Sequence, residues 1–207
     1  MSRRAHMKDS MVSAFDPASQ TSASSLTPRL ALSSDALAVL AGGGNVRRCL
    51  DDLLERGLPA DALAVVARTL PKRYVVAWAC ECLKGALAGL PEVRDVDRAG
   101  LALAQAWLAD PTEENRRAAL DFAEQGEFGA PGAWLAASAG WNGGSLLPRG
   151  YDPIVPPDHL PAEAAVAALR LAASQSTDYA GALNGFITRA LQIFGPPLQA
   201  ASKETQT

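Results

Sequence analysis

The chain has 207 residues, 48% of them apolar, and a formal net charge of −3. That length and composition suit one globular domain with a substantial core, while the small acidic surplus argues against the clustered basic charge that tracking a nucleic-acid backbone requires. No uninterrupted apolar run reaches the roughly 18 residues of a membrane-crossing helix, so membrane insertion is not expected.

Residues 1–28 are rich in Ser, Ala and Thr, with too few large apolar groups for burial to offset the entropy of ordering. They are expected to form a disordered arm. Arg3-Arg4 is followed by no apolar stretch, so it does not read as an export signal. A single helical domain is expected over 29–195, and 196–207 form a disordered tail once Gly195-Pro196-Pro197 stops the last helix.

Between these ends the punctuation is helical. Asn45 can cap a helix carrying Val46, Cys49, Leu50, Leu53 and Leu54 on one face, with Gly57 ending it; Pro59 opens a second with Leu63, Val66, Ala67 and Leu70 inward. The two make a helical hairpin. Pro71 starts a third helix through Val75, Trp78, Ala79 and Cys82, and Pro91 precedes a fourth through Val96, Leu103 and Trp107. Asp110-Pro111-Thr112-Glu113 then supplies an N-cap at Asp110, a proline at the first helical position and an acid at the third. That helix runs to about Gln125, before Gly126. A shorter helix follows from Pro131 to about Gly140. Pro161 opens an alanine-dense helix, and Ser176 or Thr177 caps the last, which presents Tyr179, Leu183, Phe186, Ala190, Ile193 and Phe194. The small residues of these two helices permit close approach of neighbouring backbones. Leu-Pro or Asp-Pro starts at 70, 110 and 160, and Ala-Trp-Leu at 106–108 and 133–135, recur at unequal intervals. The expected fold is all-α: an irregular array of about eight or nine helices, stacked as hairpins, with one long Trp-, Gly- and Pro-rich loop over 141–161.

Candidate chemistry is sparse. Cys49, Cys80 and Cys82 have no zinc-type spacing, and Cys80 and Cys82 point apart on one helix, so free buried thiols are expected. Ser145, Asp152 and His159 occur in the order of a hydrolase triad, but nothing in a loop guarantees their alignment, and Gly143-Gly144-Ser145-Leu146-Leu147 lacks the second glycine of a nucleophile elbow. Turn and surface roles are the simpler expectation. Gly42-Gly43-Gly44-Asn45 lacks the Lys and Ser/Thr of a phosphate loop and reads as a helix connection. Asp51-Asp52 and Glu113-Glu114, with the pairs Arg47-Arg48 and Arg116-Arg117, read as solvated helix faces. Of the two histidines, His6 lies in the arm, leaving His159 alone for any metal. No cofactor is expected.

The loop differs in kind, because twenty or so irregular residues are uncommon inside a compact helical domain. Trp141 reads as an anchor beneath it, Asn142-Gly143-Gly144 as a turn, and Asp152-Pro153-Ile154-Val155-Pro156-Pro157 as an extended segment. Two readings stay open. The loop either spans the end of the helical stack, tied down by Trp141, Tyr151 and Ile154, or it binds a partner protein through Trp141, Leu146, Leu147, Tyr151 and Ile154, with Arg149 at the rim.

The segments Leu-Pro-Lys-Arg-Tyr-Val-Val-Ala-Trp-Ala at 70–79, Ala-Trp-Leu-Ala-Asp-Pro-Thr-Glu-Glu-Asn-Arg-Arg-Ala-Ala at 106–119 and Trp-Asn-Gly-Gly-Ser-Leu-Leu-Pro at 141–148 together resemble a family of uncharacterised helical bacterial proteins, some associated with type VI secretion gene clusters. The resemblance spans 35–180, with one departure at Tyr74-Val75-Val76-Ala77-Trp78, where a second Trp would complete the pattern. It carries no catalytic residues. The function expected is a non-catalytic cytoplasmic interaction module, an accessory or adaptor of type VI secretion that engages another protein. Two alternatives are a small-molecule hydrolase or binding enzyme with the loop as lid, and a toxin-neutralising immunity protein.

Overall fold

Side-chain caps and prolines between them set most of the helix starts. The computed structural model describes residues 32–194, apart from Glu127 and Arg149. Among the described residues are nine helices: α1 (Ser34–Ala41), α2 (Val46–Glu55), α3 (Pro59–Thr69), α4 (Lys72–Ala88), α5 (Asp95–Ala109), α6 (Glu113–Gln125), α7 (Pro131–Gly140), α8 (Leu160–Ala173) and α9 (Tyr179–Phe194), with no strand. The fold is all-α. The expected arm (1–28) and tail (196–207) lie outside the described residues, as does Arg149.

Ser33, Asn45 and Thr112 cap α1, α2 and α6 by accepting the N–H groups of Ala36, Arg48 and Asn115. Three details depart from expectation. α1 is an addition to the expected set, and it is tied to α3 because the N–H and hydroxyl of Ser33 both donate to the Asp61 carboxylate, at 3.0 and 2.9 Å. α6 starts two residues late: Thr112, with extended backbone, takes the capping role given to Asp110, whose carbonyl instead accepts the Asn115 side-chain amide. At α9, neither Ser176 nor Thr177 caps the helix; Asp178 accepts the Gly181 N–H at 2.8 Å, and the Ser176 hydroxyl accepts the Asp178 N–H.

Consecutive helices pack as hairpins, α2 on α3 and α5 on α6, and the stack closes around α7. This ten-residue helix packs against α4, α5, α6 and α8, and every residue in it except Trp134 is buried. Its sequence, Pro-Gly-Ala-Trp-Leu-Ala-Ala-Ser-Ala-Gly, is small enough for neighbours to approach on all sides. The alanine-dense α8 lies on it as its small residues allow, and a close backbone crossing joins α5 and α7. A Cβ on Gly100 would stand 2.1 Å from the Gly132 carbonyl oxygen, and one on Gly132 would stand 2.6 Å from the Cα of Asp97. At that crossing the buried Asp97 carboxylate accepts the Gly132 N–H at 2.9 Å and pairs with Arg94 Nε at 2.9 Å. It therefore caps α7 from another helix and meets the partial positive charge of that helix's N-terminus.

On the opposite side α9 packs on α3, α8 and α4. The fully buried Trp78 donates its indole N–H to the Phe186 carbonyl at 2.9 Å, joining α4 to α9 through the core. Cys49, Cys80 and Cys82 are free and buried. Among the described residues, no helix is long and apolar enough to cross a membrane.

Candidate functional site: a loop clamped by two arginines

The loop leaves α7 at Trp141 and re-enters the helical stack at α8. It is fixed first by aromatic contacts. Trp141 packs with Trp134 at a centroid distance of 6.2 Å, edge to face, and Phe128 lies 5.0 Å from Trp134 and 5.9 Å from Trp141. Phe128 adopts φ 55°, a left-handed conformation that strains a residue with a Cβ. Packing against two indoles offsets that strain.

The second fixing is polar and comes from α6. Arg116, only 4% exposed, forks onto Glu113, with Nε 2.7 Å from Oε2 and Nη2 2.6 Å from Oε1. Its remaining donors reach the chain beyond: Nη1 to the Gly140 carbonyl and Nη2 to the Ser145 carbonyl at 3.1 Å. Arg117 adds donations to the carbonyls of Ser145 (2.7 Å), Leu146 (3.4 Å) and Leu147. Two guanidiniums thus satisfy the last carbonyl of α7 and three carbonyls of the irregular segment after it, none of which has a helix or sheet to do so. Gly144 makes room for them. It has φ +63°, and a Cβ there would stand 2.6 Å from Arg116 Nε.

The arginine pair corrects an expectation. Arg116-Arg117 reads in sequence as a solvated face, yet Arg116 is buried and both residues hold the loop. The i, i+3 spacing of Glu113 and Arg116 was the available signal for their pairing; nothing local to α6 announces the carbonyls.

Within the loop, Ser145 organises the return. Its hydroxyl oxygen accepts the N–H groups of Leu147 at 3.0 Å and Ile154 at 3.2 Å, and the Leu146 N–H donates to the Ile154 carbonyl at 2.8 Å. The base is closed by Asn142, whose amide donates to the Lys72 and Ser138 carbonyls, by the buried Ser138 hydroxyl donating to the Pro161 carbonyl at 2.7 Å, and by an ion pair between Lys72 and Asp158.

Ser145, Asp152 and His159 are not joined by any hydrogen bond. Ser145 serves the turn, Asp152 is exposed, and His159 precedes α8 with Nε2 3.8 Å from Glu163 Oε1 and Nδ1 buried without a partner. The carboxyl of Glu113 is held below its ordinary range, chiefly by the hydrogen bond from Arg116; that of Asp158 is likewise lowered, chiefly by the hydrogen bond from Lys72. Among the described residues, no group of three His, Cys, Asp or Glu side chains is placed to hold a metal. A trough of about 940 Å³ between α4 and α9 and a cavity of about 500 Å³ between α3 and α8 are lined by none of residues 141–159.

Of the residues singled out in the loop, Trp141, Leu146 and Leu147 are half-buried, and Trp141 is packed into the aromatic cluster. Tyr151 and Ile154 are 69% and 53% exposed, so their side chains do not anchor the loop, which Ile154 ties only through its backbone. Val155, 67% exposed, joins them in an apolar run that sequence reasoning did not single out. The arrangement is a pinned base and an outward apolar crest.

Residues 49–194 match the model of a family of unknown function, DUF6931. No curated protein and no solved structure matches the chain.

Proposed function

This chain belongs to the DUF6931 family, whose function is unknown, and we propose that it is a protein-interaction module, a cytoplasmic accessory or adaptor of bacterial type VI secretion that docks a partner on the loop 141–161. The observation that carries this reading is the exposure of Tyr151, Ile154 and Val155 on a segment whose base is fixed by Arg116, Arg117 and Trp141. Exposed apolar groups cost solubility, and a loop already ordered before binding loses less entropy when a partner closes over it. Tyr151 and Ile154 would fill apolar pockets on the partner as anchors, with Leu146 and Leu147 beside them. The secretion context comes from the motif resemblance at 70–79, 106–119 and 141–148.

The test uses purified soluble components of the secretion gene cluster, offered one at a time to immobilised full-length protein. One component is expected to bind, and a Tyr151→Ser, Ile154→Ser double variant with an unchanged melting temperature to bind it at least about tenfold more weakly. Equal binding by variant and parent, or binding by none of the components, overturns the reading.

A further inference from the structure

The cavity of about 500 Å³ between α3 and α8 lies within the range of small-ligand pockets, roughly 300–1,000 Å³. Small side chains, Ala64 and Ala167 among them, line it, and each helix contributes an arginine: Arg68 from α3 and Arg170 from α8. Of the two acids in the same lining, Asp61 accepts both the N–H and the hydroxyl of Ser33 at the start of α1, and Glu163 lies 3.8 Å from His159 Nε2. Asp158, near enough to feel the charge of Arg68, is paired with Lys72.

The guanidiniums are left with donors to spare. Among the described residues no hydrogen bond or ion pair engages the Arg68 guanidinium, and its Nε is buried without a partner. Arg170 uses only Nε, in a 3.4 Å contact with the Tyr179 hydroxyl. A buried N–H without an acceptor is unfavourable, and a guanidinium presents a planar fork matched to two oxygens of one anion. We propose that this cavity binds a small oxyanion-bearing molecule, a carboxylate or a phosphate, held between Arg68 and Arg170 over the alanine-lined wall.

This site shares no residue with the partner-binding crest, and its test is independent of that reading. Full-length protein labelled with carbon-13 at the alanine methyls is titrated separately with inorganic phosphate and with succinate, up to tens of millimolar. Saturable shifts of the Ala64 and Ala167 methyls are expected with at least one of the two, and the tighter of them identifies phosphate or carboxylate as the ligand group. Arg68→Gln and Arg170→Gln are each expected to weaken that binding at least about tenfold, as loss of a charge-assisted hydrogen bond predicts, and Arg98→Gln, on the exposed face of α5, to leave it unchanged. Because Arg170 is exposed, its variant keeps the test decisive should Arg68→Gln disturb the fold. No saturable shift with either anion, or shifts that persist in both variants, would overturn the proposal.

Discussion

Arg116 ties α6 both to the end of α7 and to the loop beyond it. Its side chain meets Glu113 in a two-pronged pair and two carbonyls of the following chain. Replacing it by alanine leaves the Gly140 carbonyl without its donor in a buried setting, which costs about 1–3 kcal/mol, and frees one side of the loop. Faster amide exchange at Leu147 and Ile154, with the amides of α4 unaffected, is the local signature expected of Arg116→Ala. The same pair makes the clamp sensitive to acid. The Glu113 carboxyl titrates below its unfolded value, so its contribution is present above the ordinary carboxylate pKa and is lost as the pH falls through the lowered one. Urea midpoints are therefore expected to fall on acidification below about pH 5, and the Glu113→Gln protein to show a shallower fall. The same slope in both proteins would mean that Glu113 does not contribute. Because the Glu113 side chain is 43% exposed, solvent screens the pair and the effect is modest.

At the scale of the element, α7 depends on having no side chain where α5 crosses it. A Cβ on Gly132 meets backbone atoms, Val96 O and Asp97 Cα, both at 2.6 Å, and backbone cannot rotate away as a flexible side chain can. Gly132→Ala is expected to destabilise the protein by about 1–3 kcal/mol even though alanine is the better helix former, with a lowered denaturant midpoint as the readout. A neutral or stabilising result would show that the crossing can relax. This element also shows how far the chain is legible. Pro131 and the small-residue composition mark α7 as a short helix, and Pro59, Pro161 and Asn45 mark their own helix starts, because caps and prolines act within a few residues. That Asp97, on α5, caps α7 is not legible, since the bond joins residues 35 apart. The Thr112 and Asp178 caps were missed for a smaller reason: neighbouring Asp, Ser and Thr residues compete for the same first-turn N–H groups, and only backbone conformation decides among them.

For the whole molecule, the three thiols report on the core. Cys80 and Cys82 have their pKa pushed up to about 12, chiefly by burial, and that of Cys49 is raised for the same main reason. A thiol without thiolate character does not react, so all three are expected to resist alkylation at pH 8 in native protein and to react together in urea. One cysteine labelled at native rates would show that its helix opens separately from the rest. Composition, helix periodicity and local punctuation by themselves determined an all-α array, its main helix starts, its buried thiols and the existence and ends of the long loop, since each follows from interactions a few residues apart. Only the tertiary structure decided that the loop is held by Arg116 and Arg117, that Ser145 serves a turn rather than a triad, that Tyr151 and Ile154 point outward, and that Arg68 and Arg170 face one cavity. Burial and partnership of polar side chains are set by what distant segments bring to them, and that pairing is written in no local pattern.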